Sequence, residues 1–122
     1  MSGKESRLQD YLGHIGQAIG RIESYIKDVS QDAFLQDQLL QDAVVRNLEI
    51  IGEASRNIAR HNPKFTSAHP ELPLQSAYEM RNVLAHAYFE VDLEIVWRTI
   101  DIDLPRLALQ IDGVLKGLGE AS

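Results

Sequence analysis

The segment from Arg81 to Tyr88, with the sequence RNVLAHAY, gathers four side chains that can act on a phosphodiester. An arginine can bind a phosphate through two parallel N–H donors, and a histidine can transfer a proton near neutral pH. Asn82 can orient either group, and the tyrosine supplies a hydroxyl or a ring for base stacking. The set suffices for metal-free RNA cleavage, in which the ribose 2′-OH attacks phosphorus, His86 moves a proton and Arg81 stabilises the developing charge.

The spacing of these four residues decides which of them share a helix face. Arg81 and Tyr88 are seven residues apart, and Asn82 and His86 are four apart, so each pair lies on one face of an ideal helix. Arg81 and His86 are separated by roughly 140°. They converge only if the helix loosens or if a second copy of the chain completes the site. A structural role stays open, because His86 can simply interact with the negative end of the helix.

The composition limits both the chemistry and the partners. The 122 residues include 12 Lys plus Arg, 18 Asp plus Glu and no cysteine, which gives a formal net charge of −6. The absence of cysteine excludes disulfides, thiolate metal sites and a cysteine nucleophile. A generally basic nucleic-acid binder is also excluded, so any contact with RNA must come from a local cluster of arginines.

Metal and cofactor sites find little support in the residue spacing, and we expect neither. The four histidines form no helical pair of ligands, and no Glu-x-x-His motif occurs. Glu49 and Glu53 are four residues apart and could contact one metal ion. Such a pair is more often a solvated stripe or is neutralised by an arginine.

Apolar residues recur at intervals of three or four along most of the chain, which predicts an all-α bundle of four to five helices with up-and-down topology. No alternating run typical of a strand is present. The predicted helices span residues 8–29, 34–60, 74–85, 93–100 and 107–118. The first contains Gly13, Gly16 and Gly20, which we expect at a close contact with another helix because glycine weakens a helix.

Local signals predict where these helices begin and end. A break and a new N-cap are expected at Ser30-Gln31-Asp32, and Asp92 is also an expected N-cap. Asn62-Pro63 is expected to end the second helix. Residues 61–73 contain three prolines and are predicted to be a loop. Pro105 predicts a break between residues 100 and 106, and the glycines at 117 and 119 are expected to end the last helix.

The second predicted helix carries a polar stripe opposite its apolar one. The stripe comprises Asp42, Arg46, Glu49, Glu53, Arg56 and Arg60. Its three arginines are candidate RNA-binding residues that could form a basic path towards the segment from Arg81 to Tyr88. Alternatively, Arg46 pairs with Asp42 and Glu49, which lie within one helical turn of it. Glu53 is interpreted as structural.

The chain is predicted to be a single domain over residues 1–122, because it shows no repeat and no linker. The first twenty residues lack the apolar core of a signal peptide, and no apolar run approaches the ~18 residues that span a bilayer. A cytoplasmic protein without a membrane partner is therefore expected.

The chain resembles HepT toxins of the HEPN superfamily (higher eukaryotes and prokaryotes nucleotide-binding). Arg81, His86 and Tyr88 match the family pattern R-x4-H-x-Y, and the resemblance extends from about residue 8 to residue 118. Three further segments carry it: DAVVRNLEIIGEA at 42–54, VDLEIVW at 91–97 and DLP at 103–105. Two departures are Ala87, where aspartate is common, and Pro73-Leu74, where Pro-Trp is common.

The resemblance implies a HEPN-type bundle that forms a homodimer, with the motifs of two subunits facing one cleft. It implies a metal-independent endoribonuclease that is the toxin of a type VII HEPN/MNT toxin–antitoxin system. Arg81 and His86 would be catalytic, and Asn82 would support them. The antitoxin would be an MNT-type minimal nucleotidyltransferase that uses ATP to add AMP to Tyr88, so the chain itself would need no cofactor.

Two other functions stay open at the level of the sequence. The chain can be a non-catalytic nucleotide- or partner-binding module associated with a nucleotidyltransferase, and Ala87 leaves room for this alternative. It can also be a helical dimer without a ligand, if Arg81 and His86 prove to be buried and paired. The RNA substrate is expected to be tRNA or mRNA, and the sequence does not choose between them.

Overall fold

A computed structural model describes residues 3–86 and 92–121, and these residues are helical without a β-strand. The helices are α1 (Gly3–Ile26), α2 (Gln31–Gln36), α3 (Gln38–His61), α4 (Pro63–Ala68), α5 (Leu74–His86), α6 (Leu93–Arg98) and α7 (Leu104–Ala121). A π-helical turn, Thr99–Asp103, joins α6 to α7. The predicted all-α class is therefore confirmed, and α1, α3, α5 and α7 are its long elements.

The core forms where the apolar stripes of α1 and α3 meet. α3 lies between α1 and α5 and contacts both, and α7 packs against α1. The stripe residues that are buried are Leu8, Leu12, Ile15, Ile19, Ile22, Val44, Leu48, Ile51, Ala54 and Ile58. Burying a large aliphatic side chain contributes about 1.5–3 kcal/mol, so this seam supplies much of the driving force for folding. The period of the apolar residues correctly predicted these two buried stripes.

The seam between α1 and α3 also contains a polar contact. Asn47 is buried, and its Oδ1 accepts a hydrogen bond of 2.7 Å from Nε of Arg21 on α1. Its Nδ2 donates to the carbonyl oxygen of Ala43, one turn earlier in α3. Since an unpaired buried amide is costly, both bonds satisfy Asn47, and the bond from Arg21 links α1 to α3 at this position.

α1 differs from its prediction at both ends. It begins at Gly3, before residue 8, and it ends at Ile26 rather than at Val29. The end follows from Asp28, whose φ of 61° is left-handed and cannot continue an α-helix. The N–H of Val29 then donates to the carbonyl oxygen of Ile26 at 2.9 Å.

Replacement of Asp28 by glycine is expected to stabilise the fold by about 0.5–1 kcal/mol, because glycine adopts positive φ without the steric cost of a Cβ atom. Thermal unfolding followed by circular dichroism measures the change. Asp28→Ala retains the Cβ atom and serves as the control. Equal midpoints for Asp28→Gly and Asp28→Ala would show that the left-handed backbone carries no cost here.

The prediction that the three glycines of α1 lie at a close contact with another helix was wrong. A Cβ atom built on Gly13, Gly16 or Gly20 meets nothing within 4 Å. No helix of the described residues therefore packs closely on them, and their side of α1 faces open space.

The segment predicted as one helix over residues 34–60 is divided in two. Ser30 caps α2 by accepting from the N–H of Ala33 at 3.1 Å, so the N-cap predicted within residues 30–32 is confirmed and lies at Ser30. Asp37 then takes an extended conformation and caps α3, accepting from the N–H of Leu40 at 3.0 Å. The carboxylate of Asp37 thus replaces an intrahelical hydrogen bond at the break. Phe34 of α2 is buried, and the centre of its ring lies 5.3 Å from that of Trp97.

Residues 61–73, predicted as a loop, contain the short helix α4. Pro63 occupies its first turn, where no N–H is needed, so the proline begins a helix directly after Asn62 has ended α3. The turn before α5 is held by Gln110 of α7, whose Nε2 donates to the carbonyl oxygen of Glu71. A hydrogen bond with His69 lowers the pKa of the Glu71 carboxyl from its usual value.

The C-terminal half confirms the predicted cap and shows how Pro105 is accommodated. Asp92 accepts from the N–H groups of Glu94 and Ile95 and begins α6. α6 ends at Arg98, before the predicted residue 100, and the π-helical turn follows. In this turn the N–H of Leu104 donates to the carbonyl oxygen of Thr99, five residues back. The wider turn is the irregularity expected beside a residue without an N–H.

The prediction for the end of α7 was wrong. The helix continues through both glycines to Ala121. Among the described residues, no helix is both long enough and apolar enough to span a membrane.

Candidate functional site

Arg81 lies where α5 crosses α3, at Gly52. A Cβ atom on Gly52 would overlap the Cβ atom of Arg81 and lie 2.8 Å from the carbonyl oxygen of Ala77. Real Cβ atoms do not approach other atoms this closely, so only glycine allows the two helix backbones to meet here. The base of the Arg81 side chain is thereby held against the surface of α3.

The guanidinium of Arg81 is held by one ion pair and one hydrogen bond. Nη2 forms an ion pair of 3.5 Å with Oε2 of Glu53, and Nη1 donates to Oδ1 of Asn82 at 3.3 Å. The side chain is 34% exposed, and an arginine has five N–H donors in a planar fork. Two contacts therefore orient the fork and leave further donors for a ligand. The predicted proximity of Asn82 and Arg81 is observed.

Glu53 was interpreted from sequence as structural, and its contact with Arg81 was missed. Its Oε1 lies 3.8 Å from Nη1 of Arg56, so its carboxylate stands between two arginines. Oε2 is buried and makes no hydrogen bond, which leaves the ion pair with Arg81 as its charged contact. Arg81 lies 28 positions further along the chain, and no local pattern indicates a contact over that separation.

A groove adjoins Arg81 along the outer side of α3, and we name it the α3 groove. Its volume is about 370 Å³, and its lining residues are Tyr11, His14, Arg46, Glu49, Ile50, Glu53, Ala54, Asn57 and Arg81. α3 provides the floor, α1 provides one wall through Tyr11 and His14, and α5 provides Arg81. Tyr11 and His14 were not predicted as site residues. Their positions facing α3 become evident only once the helices are packed together.

The structure brings one of the three candidate RNA-binding arginines beside Arg81. Arg46 lines the α3 groove and forms no ion pair with another described residue, so the alternative pairing with Asp42 and Glu49 is not observed. Arg56 instead contacts Glu53, and its guanidinium carbon lies 5.7 Å from the centre of the Tyr78 ring. Arg60 is exposed near the end of α3 and does not line the groove.

His86 is the last residue of α5, one turn beyond Asn82. Its side chain is not among those that the structure describes, and Tyr88 lies outside the described residues. The roles of His86 and Tyr88, and the alternative of a buried and paired His86, therefore stay predictions. The predicted connection over residues 88–91 also lies outside the described part of the chain.

Glu49 and Glu53, the candidate pair of metal ligands, line the same groove. The described residues contain no group of three or more His, Asp or Glu side chains that could hold a metal ion. Glu53 is held between arginines, as such pairs commonly are. Of the two carboxylates, that of Glu53 therefore interacts with arginines, and that of Glu49 forms no ion pair with another described residue.

A second cavity, of about 390 Å³, lies between α3, α5 and the beginning of α7. Its walls are mainly apolar and include Leu48, Met80 and Leu107, with Asp103 and Arg106 at its edge. It contains none of the predicted site residues. The α3 groove is therefore the cavity that combines Arg81 with further polar groups.

Comparison with known proteins identifies the family of the chain. Residues 15–114 match the family described as ribonuclease HepT-like. The chain is 44% identical over 99 residues to a protein of Thermococcus cleftensis named "Probable ribonuclease HepT", covering 81% of this chain and 87% of the relative. It is 37% identical over 106 residues to a candidate RNase of Caldanaerobacter subterraneus, covering 87% of this chain and 92% of that protein.

A further relative shares only part of its length with this chain. A Methanocaldococcus jannaschii protein, named as a gamma-glutamylcyclotransferase and candidate RNase, is 39% identical over 108 residues, which is 88% of this chain and 47% of that protein. No solved structure matches the chain. The family match covers most of the helical bundle, including α3 and Arg81, and the chain belongs to the HepT-like ribonuclease family.

Proposed function

We propose that the chain is an endoribonuclease toxin that cleaves RNA without a metal ion through Arg81 and His86. The observation that carries this proposal is the held guanidinium of Arg81, which two acceptors orient at the edge of an open groove. Membership of the HepT-like ribonuclease family supports the reaction type. The proposed setting is the cytoplasm, where RNA is available.

The proposed reaction is an attack of the ribose 2′-OH on the adjacent phosphorus. The 2′ oxygen loses its proton to an imidazole, the bond from phosphorus to the 5′ oxygen breaks, and the leaving 5′ oxygen gains a proton. The products are a 2′,3′-cyclic phosphate and a 5′-OH, so no water and no cofactor is consumed. In a homodimer the two His86 residues would face one cleft, where one accepts a proton and the other donates one.

Arg81 would stabilise the charge that develops on the non-bridging oxygens of the phosphate. A preoriented donor in a partly water-excluded site is effective because it does not have to reorganise during the reaction. Asn82 would keep the guanidinium in position through its Oδ1. Arg46 would contact a neighbouring phosphate, whereas Arg56 pairs with Glu53 and Arg60 lies away from the groove.

Regulation would act through Tyr88 and an MNT-type nucleotidyltransferase antitoxin. Residues 81 and 88 are seven positions apart, and on an ideal helix such a pair shares one face. An AMP group on Tyr88 would bring a phosphate and bulk to the position where the RNA phosphate should bind. ATP would serve as the substrate of the antitoxin, and the toxin would need no cofactor of its own.

The activity is tested by incubating the purified chain with RNA in the presence of EDTA and analysing the new ends. We expect fragments with 2′,3′-cyclic phosphate and 5′-OH ends, and we expect His86→Ala to produce none. Induction in bacteria should arrest growth for the wild type and not for His86→Ala. Equal growth of the two strains, together with intact RNA, would refute the ribonuclease.

The second candidate function is a non-catalytic module that binds a nucleotide or the nucleotidyltransferase. Ala87, where the family commonly has aspartate, favours it, and so does the ion pair that already occupies part of the Arg81 guanidinium. Co-expression with an MNT-type nucleotidyltransferase, followed by mass spectrometry, distinguishes the regulatory proposal from this second candidate function. An added AMP on Tyr88 supports the toxin, whereas an unmodified chain that binds the enzyme stably supports the module.

A further inference from the structure

The α3 groove presents its charged groups in a definite order. Arg46 lies two helical turns before Glu53, which corresponds to about 10 Å along the axis of α3, and Arg81 lies beside Glu53. Glu49 lies between these two positions. The groove therefore has a guanidinium towards each end, and two carboxylates, those of Glu49 and of the arginine-paired Glu53, lie between them.

Arg46 and Glu49 are available to bind a ligand, whereas Glu53 is already paired. Arg46 and Glu49 form no ion pair with another described residue, whereas Glu53 is engaged by Arg56 and Arg81. An arginine and a glutamate three residues apart on a helix commonly pair. Here Arg46 and Glu49 do not, so both can bind a molecule that enters the groove.

The order of the charges determines where the phosphate and the base of a bound nucleotide can lie in the groove. A phosphate is attracted by the guanidinium of Arg46 or Arg81 and repelled by the carboxylate of Glu49. An ionised carboxylate only accepts hydrogen bonds, and the exocyclic amines of cytosine, adenine and guanine donate them. Uracil has no such amine, and its single N–H is flanked by two carbonyl oxygens.

The α1 wall supplies two rings to the groove that Glu49 lines. Tyr11 is half-buried against the core and His14 is exposed, and both line the groove. Unstacked bases of single-stranded RNA are commonly recognised by stacking on such rings together with hydrogen bonds to the base edge. A base pair in a duplex would hide the edge that Glu49 needs.

We propose that the α3 groove binds the nucleotide next to the cleaved phosphate of single-stranded RNA and selects a base with an exocyclic amine. Arg46 binds the outer phosphate of this nucleotide, Glu49 accepts from its amine, and His14 with Tyr11 covers its face. This inference rests on the proposed function, in which Arg81 binds the cleaved phosphate. It assigns Arg46 to phosphate binding and Glu49 to base selection.

Binding is measured separately from cleavage with short 2′-O-methyl oligonucleotides, which lack the attacking hydroxyl. Fluorescence anisotropy with homopolymers of C, A and U is expected to show at least fivefold weaker binding of the U polymer by the wild type. Glu49→Ala should remove this preference. Arg46→Ala should weaken the binding of every polymer roughly tenfold and lower the slope of log Kd against log salt by about one.

Lys116→Ala is the matched control, because it removes one positive charge from α7, away from the groove. It should leave both Kd and the base preference unchanged. Equal binding of the three polymers by the wild type, or equal losses for Arg46→Ala and Lys116→Ala, would overturn the subsite.

Cleavage assays with unmodified RNA distinguish this inference from the proposed function. If the chain cuts RNA but Arg46→Ala and Glu49→Ala change neither affinity nor base preference, the subsite is refuted and the ribonuclease stands. If the oligonucleotides bind as described but no RNA is cut, the base-selective binding by the α3 groove stands, whereas the ribonuclease and the placement of the groove beside a cleaved phosphate are refuted.

Discussion

Arg81→Ala is expected to lower kcat for RNA cleavage by about 10²–10³-fold, with a smaller change in KM. Loss of one preoriented donor to a developing oxyanion costs about this much in other enzymes. The effect falls on kcat because the contact with phosphate strengthens as charge develops in the transition state. Single-turnover cleavage of a labelled RNA, with enzyme in excess, measures the chemical step directly.

Arg81→Lys should recover only part of the activity, because an ammonium group retains the charge but loses the planar fork that Glu53 and Asn82 orient. Arg56→Ala is the matched control, since it removes the other arginine that contacts Glu53. Its kcat should stay within about threefold of the wild type, because Arg56 does not line the groove. Wild-type kcat in Arg81→Ala, with the fold intact by circular dichroism, would exclude Arg81 from catalysis.

Gly52→Ala is expected to destabilise the fold and to misplace Arg81. The added methyl group would overlap the Cβ atom of Arg81 and approach the carbonyl oxygen of Ala77, both on α5. Overpacking of this kind costs about 1–3 kcal/mol, and α5 must move away from α3 to relieve it. A displacement on the order of 1 Å can reduce catalysis by about 10²-fold, so activity should fall even at temperatures where the variant is folded.

Gly13→Ala tests the same chemical change where no neighbour opposes it. A Cβ atom on Gly13 meets nothing within 4 Å, and alanine is favoured over glycine inside a helix by about 0.5–1 kcal/mol. The two variants should therefore shift the thermal midpoint in opposite directions, and only Gly52→Ala should lose activity. A stabilised and fully active Gly52→Ala would show that the close crossing of α3 and α5 is not required.

The net charge of −6 constrains how this chain can bind RNA. Most of the surface should repel a polyanion, so attraction has to be confined to a few positions. Arg46 and Arg81 lie in one groove, which matches this requirement. The salt dependence of RNA binding should accordingly correspond to a few phosphate contacts rather than to a broad basic face.

The all-α fold class and most helix positions could be predicted from the sequence alone. The period of the apolar residues identified the stripes of α1 and α3 that form the core, because burial on one face of a helix requires that spacing. The cap within residues 30–32 and the cap at Asp92 were identified because a capping side chain acts on backbone groups within three residues. Two errors were also local. Asp37 caps a new helix within a segment that was predicted as one continuous helix. Pro63 begins a short helix within a segment that was predicted as a loop.

The pattern from Arg81 to Tyr88 pointed to a reaction, but the surroundings of Arg81 required the tertiary structure. The ion pair with Glu53, the crossing at Gly52 and the wall formed by Tyr11 and His14 join segments that are distant along the chain. Periodicity and capping act over a few residues, whereas these contacts depend on the angle and register at which the helices pack. The sequence determined which face of each helix is buried, and the packing of α1 and α5 on α3 decided which polar groups meet.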